Sequence, residues 1–261
     1  MFEISPAVRD AILDHARQGA PEEVCGVVLG RHDGTEGGDR YVPCANLAAD
    51  RTTSFEIDAS FMAQARASGA LRAIVHSHPH GLDGPSKTDM EQAAEDDVPW
   101  GIAVLDPVHR PKLFFWGDML PVAPYEQRVF RHGIADCYAL VRDWYRQERG
   151  LVLPLTPRDP DWWTKGQRVI EDNLHRFDFD AFGDSEPLQP GDVLLFQVGA
   201  PTINHTGIYV GNGLVLHHLT NRLSRKDVLG PWKQKYHART MRLRPGALQS
   251  AVQSIAEGDG R

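Results

Sequence analysis

A chain of 261 residues, 41% hydrophobic and 24% charged, has the balance of a globular protein and enough length for one large domain or two ordinary ones. Its net charge of -7, with no long basic run, argues against nucleic acid as a partner, because a phosphate surface is held by clustered Lys and Arg. Cys25, Cys44 and Cys137 are odd in number and widely spaced, which excludes a disulfide framework. No apolar run of about 18 residues exists to span a membrane.

The N-terminal stretch "MFEISPAVRDAILDHARQGA" lacks the apolar core of a signal peptide, so synthesis in a cytoplasm is expected. Ser5-Pro6 starts a helix, and Val8, Ile12, Leu13 and Ala16 recur at helical spacing. Residues 23–30, "EVCGVVLG", read as a buried strand, 58–70 as a second helix and 71–78, "LRAIVHSH", as a strand. A third helix opens at Thr88, and strands at 101–106 and 111–116 close this half. Residues 117–124, "GDMLPVAP", form the expected linker between a domain at 1–116 and another at 125–245.

The strand at 71–78 runs into "HSHPHGLDGPSKTD" (76–89). Residues two apart on a strand project to one side, so His76 and His78 point together. Two imidazoles on one face are part of a catalytic zinc site, which takes three protein ligands and leaves a position for water. The Gly81, Gly84 and Pro85 loop turns the chain back, and Asp89, in the first turn of the next helix, suits as the third ligand. An isolated H-x-H is more often a polar surface feature. Here Ser86 could donate to an oxyanion, and Glu23, placed against an apolar run, could serve as general base. Glu22 is its rival.

E-x-C-G, then H-x-H-P, seven further residues and S-x-x-D together resemble the JAMM (Mov34/MPN) metalloproteases over residues 1–116. The resemblance implies one Zn2+ held by His76, His78 and Asp89, with Glu23 as base and Ser86 as oxyanion donor. His80 and Asp83 then read as exposed loop residues and Cys25 as a packed hydrophobe.

In the second half, "DCYALVRDWYRQERG" forms a helix with Cys137, Leu140, Val141, Trp144 and Tyr145 on one stripe. A helical stretch near 161–175 follows, then strands at 191–198, 205–210, 214–219 and 240–244 and a polar tail over 246–261. A thiol in the first turn of a helix meets unpaired amides and the positive dipole end, which favour thiolate. A cysteine nucleophile needs a base, and the base an orienting group. His205 opens one strand, and His217 and His218 lie in the returning one. A two-residue turn at Asn212-Gly213 would put His218 on the face of His205; a three-residue turn over Gly211–Gly213 pairs Gly207 with His217 and leaves His217 diagonal to His205.

The Asp-Cys pair opening a helix, the "PGDVLLF" strand, H-x-G-I-Y-x-G and a second histidine twelve residues after the first resemble the NlpC-type cell-wall endopeptidases, a papain-like family, over 125–245. The resemblance implies Cys137 as nucleophile, His205 as base and His217 as orienter. Tyr138 and Ala139 replace that family's usual Ser-Gly, and Tyr125 and Phe130 compete for the place of its upstream tyrosine. Trp162 and Trp163 read as core or lid packing rather than as a substrate groove.

The fold class expected is α+β: an N-terminal JAMM (MPN) α/β sandwich followed by a C-terminal papain-like NlpC-type domain. This order resembles the tail tip proteins of lambda-like bacteriophages. That resemblance implies a virion component made in the host cytoplasm, with other tail tip proteins and peptidoglycan stems as partners and stem cleavage during DNA entry as its task. Two rival readings are a cytoplasmic isopeptidase acting on ubiquitin-like or sulfur-carrier tails, and a structural tail component with vestigial sites.

Overall fold

The computed structural model describes residues 2–30, 38–106, 108–183 and 185–246, so most of the expected tail lies outside the described residues. The chain divides into two compact units. One is Met1–Pro85 with Glu91–Pro121, the other Val122–Arg261 with the short segment Ser86–Met90. Among the described residues no helix is long and apolar enough to cross a membrane.

The first unit is built on a five-stranded sheet of β1 (Cys25–Leu29), β2 (Arg40–Cys44), β3 (Leu71–His78), β4 (Trp100–Val104) and β5 (Lys112–Trp116), in the order β2-β1-β3-β4-β5. Only β3 and β4 run parallel. Helix α1 (Pro6–Gly19) is capped by the Ser5 hydroxyl and packs Val8, Ile12, Leu13 and Ala16 on Val28, Ala73 and Val75. Helix α2 (Ala59–Ala67) covers the opposite face, where Phe61, Met62 and Ala65 meet Val27 and Leu29. Both faces of β1 are thus buried, which is why it reads as an unbroken apolar run. Strand β2, absent from the sequence reading, carries Pro43 and lies at the sheet edge, where a missing amide is tolerated. Helix α3 (Lys87–Ala93) starts one residue before the expected Thr88.

The second unit has a six-stranded antiparallel sheet of β6 (Phe179–Phe182), β7 (Val193–Phe196), β8 (His205–Tyr209), β9 (Leu214–His217), β10 (Arg225–Val228) and β11 (His237–Leu243), ordered β10-β9-β8-β7-β11-β6. Helix α4 (Cys137–Arg149) lays its stripe of Leu140, Val141, Trp144 and Tyr145 against Val193, Leu195, Ile208 and Leu216. The helix ends at Gly150, which takes the left-handed conformation at φ 64°. The expected single helix near 161–175 is a 3-10 turn at Trp162–Lys165 and α5 (Val169–Arg176), separated at Gly166, whose φ of 69° ends the turn. Helix α6 (Leu229–Tyr236) covers the other face of the sheet, packing Leu229, Trp232 and Tyr236 on Leu194, Phe196 and Val215.

Candidate functional sites

His76 and His78 occupy the last turns of the pleat of β3, and Cys25 pairs with His76 across the sheet. Hydrogen bonds between Val24 and Ser77 continue this register by one residue, and by the strand period Glu23, the next residue, falls on the face of Cys25 and His76. Glu23 is buried; Glu22 is half exposed and pairs with Arg51 at 3.6 Å. After the Gly/Pro loop, Asp89 enters in the first turn of α3. Ligand atoms of His76, His78 and Asp89 all lie within 4.8 Å of one another, and all three residues are buried.

The donor set suits a divalent ion. His78 Nδ1 is 3.0 Å from the carbonyl of Leu82, which can only accept, so the proton of a neutral ring sits on Nδ1 and Nε2 keeps its lone pair. That lone pair faces His76 Nε2 at 3.0 Å. Two imidazole nitrogens and a carboxylate converging in a buried place could hold a metal ion. Phe55 stacks on the His76 ring at 4.5 Å between centroids and fixes its plane.

Ser86 and Asp89 form a reciprocal cap. The Ser86 amide donates to Asp89 Oδ2 at 2.7 Å, and the Asp89 amide donates to Ser86 Oγ at 3.1 Å. The S-x-x-D spacing therefore has a structural use, starting α3, in addition to any chemical one. His80 is exposed, and Asp83 pairs with Lys112 at 2.7 Å.

In the second unit Cys137 is the first residue of α4, capped by Asp136, whose Oδ1 accepts the amides of Tyr138 at 3.0 Å and Ala139 at 2.9 Å. The other carboxylate oxygen accepts the Gly133 amide at 2.8 Å and the buried guanidinium of Arg158. The helix-end amides are thus largely taken by a carboxylate. Burial, then the Asp136 charge, push the Cys137 thiol up to about 12, against smaller contributions from Arg158 and the Thr206 amide. The helix start alone favours thiolate, but burial outweighs it here. His205 is pushed down to about 3 by burial and by neighbouring His217 and His218. Both shifts run towards the neutral thiol and the neutral imidazole.

Cys137 and His205 line one cavity of about 230 Å³, together with Phe130, Arg158, Trp162 and His218. Of the two aromatic candidates upstream of the cysteine, Phe130 reaches this cavity, whereas the Tyr125 hydroxyl donates to Glu148 at 3.1 Å. Trp162 is in the core and Trp163 packs against it, and both rings also border the cavity.

Strand register decides which histidine meets His205. Gly207 pairs with His217, and the turn between the strands has positive φ at Gly211, Asn212 and Gly213. His205 Nε2 and His217 Nδ1 are 3.0 Å apart. A side chain at position 207 would collide with this arrangement, since a Cβ there would lie 2.6 Å from Val215 Cγ2 and 3.1 Å from His217 Cβ. His218, beyond the end of β9, instead places Nε2 3.2 Å from the Arg222 carbonyl.

One polar neighbour of this site was not found in the sequence. Asp227 on β10 brings Oδ2 within 3.1 Å of His217 Nε2 and also accepts from Arg225 at 2.9 Å and from the Trp232 indole at 3.3 Å. In the sequence it stands inside "NRLSRKDVLG", a charged stretch that reads as solvated surface. The only available signal was a turn that returns the chain beside His217.

Comparison with known proteins agrees with this two-part construction. Residues 5–117 match the family model "Prokaryotic homologs of the JAB domain", and residues 114–242 match the NlpC/P60 family. The tail tip assembly protein K of Escherichia phage N15 is 34% identical over 242 residues, covering 90% of this chain and 92% of that protein. The tail tip assembly protein K of Escherichia phage lambda is 36% identical over 180 residues, covering 67% and 83%. A desampylase of Haloferax volcanii is 37% identical over 102 residues, covering 36% and 73%.

Proposed function

The chain belongs to the tail tip assembly protein K family, and from that premise we propose that it is a two-site peptidase of a phage tail tip. Its C-terminal unit would cut the peptide stems of peptidoglycan during DNA entry, and its N-terminal unit would be a zinc-dependent peptidase. The observation that carries the first part is the hydrogen-bonded His205 and His217 pair, with His205 on the cavity of Cys137.

In this reading the Cys137 thiol passes its proton to His205 as the sulfur attacks the scissile carbonyl carbon. With both groups shifted towards their neutral forms, this transfer belongs to the attack itself. His205 then returns the proton to the leaving amine, whose bond to the carbonyl carbon breaks and leaves a thioester. Water, deprotonated by the same imidazole, releases the acid and restores the thiol. His217 keeps the His205 ring in place.

At the other candidate site His76, His78 and Asp89 would hold zinc, which supplies Lewis acidity when bound. Glu23, on the same face of the sheet, would accept and return a proton, and the Ser86 hydroxyl, whose oxygen already accepts the Asp89 amide, keeps its own proton free to donate. The likeness to a desampylase favours a rival for this unit alone, cleavage of a protein modifier, but gives no task to Cys137, His205 and His217.

The test is incubation with purified peptidoglycan and analysis of released fragments. Cys137→Ala should abolish stem cleavage while a chelator leaves it intact, and Glu23→Gln should affect only metal-dependent proteolysis. If chelator stops wall hydrolysis as fully as Cys137→Ala, with circular dichroism showing the protein still folded, the proposed division of labour is wrong. Absence of any cleavage by wild type would leave the vestigial-site reading.

A further inference from the structure

Three adjacent strands each contribute one residue to a line of hydrogen bonds: His205 from β8, His217 from β9 and Asp227 from β10. Each step is diagonal in the ladder. Gly207 is opposite His217, with His205 two residues before it, and Arg225 is opposite His217, with Asp227 two residues after it. Diagonal neighbours on one face are within reach of long side chains.

The proton positions along this line follow from its outer end. A carboxylate only accepts, so His217 must present N–H at Nε2, and a neutral ring then has a bare lone pair at Nδ1. That lone pair can only receive, so His205 donates from Nε2 and its own Nδ1 is bare. Nδ1 is the nitrogen left to serve the Cys137 sulfur. Without the carboxylate, the two imidazoles could equally hold their protons the other way round, with His205 protonated on the side of the thiol and unable to accept from it.

We infer that Asp227 is a positioning residue of the cysteine site, fixing the tautomers of His217 and His205 so that the base offers its lone pair to Cys137. This rests on the reading of Cys137 and His205 as nucleophile and base. Two donors besides His217 hold the acceptor oxygen. Arg225 and the Trp232 indole both give to the same Oδ2, so the atom facing His217 cannot rotate away without losing them. Trp232 also meets the His217 ring edge-on at 4.5 Å and the His205 ring at 5.8 Å, which shields the line from one side. The bland alternative is an edge-strand ion pair between Asp227 and Arg225, which would be worth little and have no effect on the rings.

The experiment uses the full chain labelled with 15N in histidine. Imidazole nitrogen shifts report the tautomer of His205 and His217, and turnover is measured on purified peptidoglycan. In wild type, His217 Nδ1 and His205 Nδ1 should be unprotonated. Asp227→Ala should mix the tautomers of both rings and lower kcat by about ten- to a hundredfold with KM within about twofold. Asp227→Asn presents an oxygen under the same two donors, so it should keep the wild-type tautomers and recover kcat to within about fivefold. Unchanged tautomers in Asp227→Ala overturn the inference, and so does unchanged kcat. If wild type releases nothing from peptidoglycan, the functional reading fails, and the nitrogen shifts alone decide whether Asp227 sets the tautomers.

Discussion

Asp136→Asn is the most informative single perturbation of the cysteine site, because one buried carboxylate there does two jobs. It caps α4 through the amides of Tyr138 and Ala139, and it neutralises Arg158 in a pair whose side chains are 3% and 4% exposed. Against burial, Arg158 first and then His132 hold Asp136 below the usual carboxylate range. Asparagine can keep the cap with its one oxygen, so little is lost at the helix start. Its amide then faces the Gly133 amide and the guanidinium, donors against donors, and Arg158 is left a buried, uncompensated cation. Breaking such a pair costs about 3–5 kcal/mol. At about 2–4 °C per kcal/mol, the transition of the second unit should fall by about 10 °C. Calorimetry of the full chain measures it, with Arg158→Leu and the double variant alongside. Removing both partners should restore more than half of the loss, since two missing charges leave neither unpaired. A melting point within about 2 °C of wild type, or a double variant no more stable than Asp136→Asn, would refute the reasoning.

Three further outcomes are expected. With its thiol pushed up to about 12, Cys137 should be alkylated by iodoacetamide at a rate that rises about tenfold per pH unit between roughly pH 6 and 9. Peptide mapping separates it from Cys25 and Cys44, and a plateau already present near pH 6 would mean that a thiolate and imidazolium pair exists at rest. Because the His205 value is depressed from 6.5 to about 3, the unfolded chain binds a proton that the folded one refuses. Stability of the second unit should therefore fall as pH drops from about 6.5 towards 3, by up to about 1.4 kcal/mol per unit, and His205→Gln should flatten the slope of urea midpoints against pH by that amount. Equal slopes would exclude His205 as the group responsible. Gly207→Ala should cost about 1–3 kcal/mol in urea unfolding and displace His217, so that peptidoglycan cleavage falls more than a stability-matched variant elsewhere in the sheet.

The cluster of His76, His78 and Asp89 was legible because it is local: two histidines at the strand period and an aspartate one tight loop later. The same holds for Cys137 after its capping aspartate and for the turn at Gly211–Gly213, where glycines permit positive φ. Elements that take their stability from position in the sheet rather than from their own pattern were not legible. Strand β10, "RKDV", is largely exposed at an edge and shows no apolar alternation, and α6 contains Gly230 and Pro231, which read as breakers. Pro231 stands in the first turn of α6, where its missing amide has no intrahelical partner to lose. Asp227 was hidden with them. The pull of burial on the thiol was not legible for a related reason, since a helix start is visible in sequence and the depth at which it is buried is not.

The cap at the start of α3 gives Asp89 a divided allegiance. Its carboxylate accepts the Ser86 amide and also supplies a ligand atom beside His76 and His78. A glutamate at position 89 would suit the helix just as well, as it does at the same place in many capping boxes. Its extra methylene would move the carboxylate away from the place it takes beside the histidines. Helix nucleation and ion binding thus demand the same residue for different reasons, and only the shorter acid satisfies both.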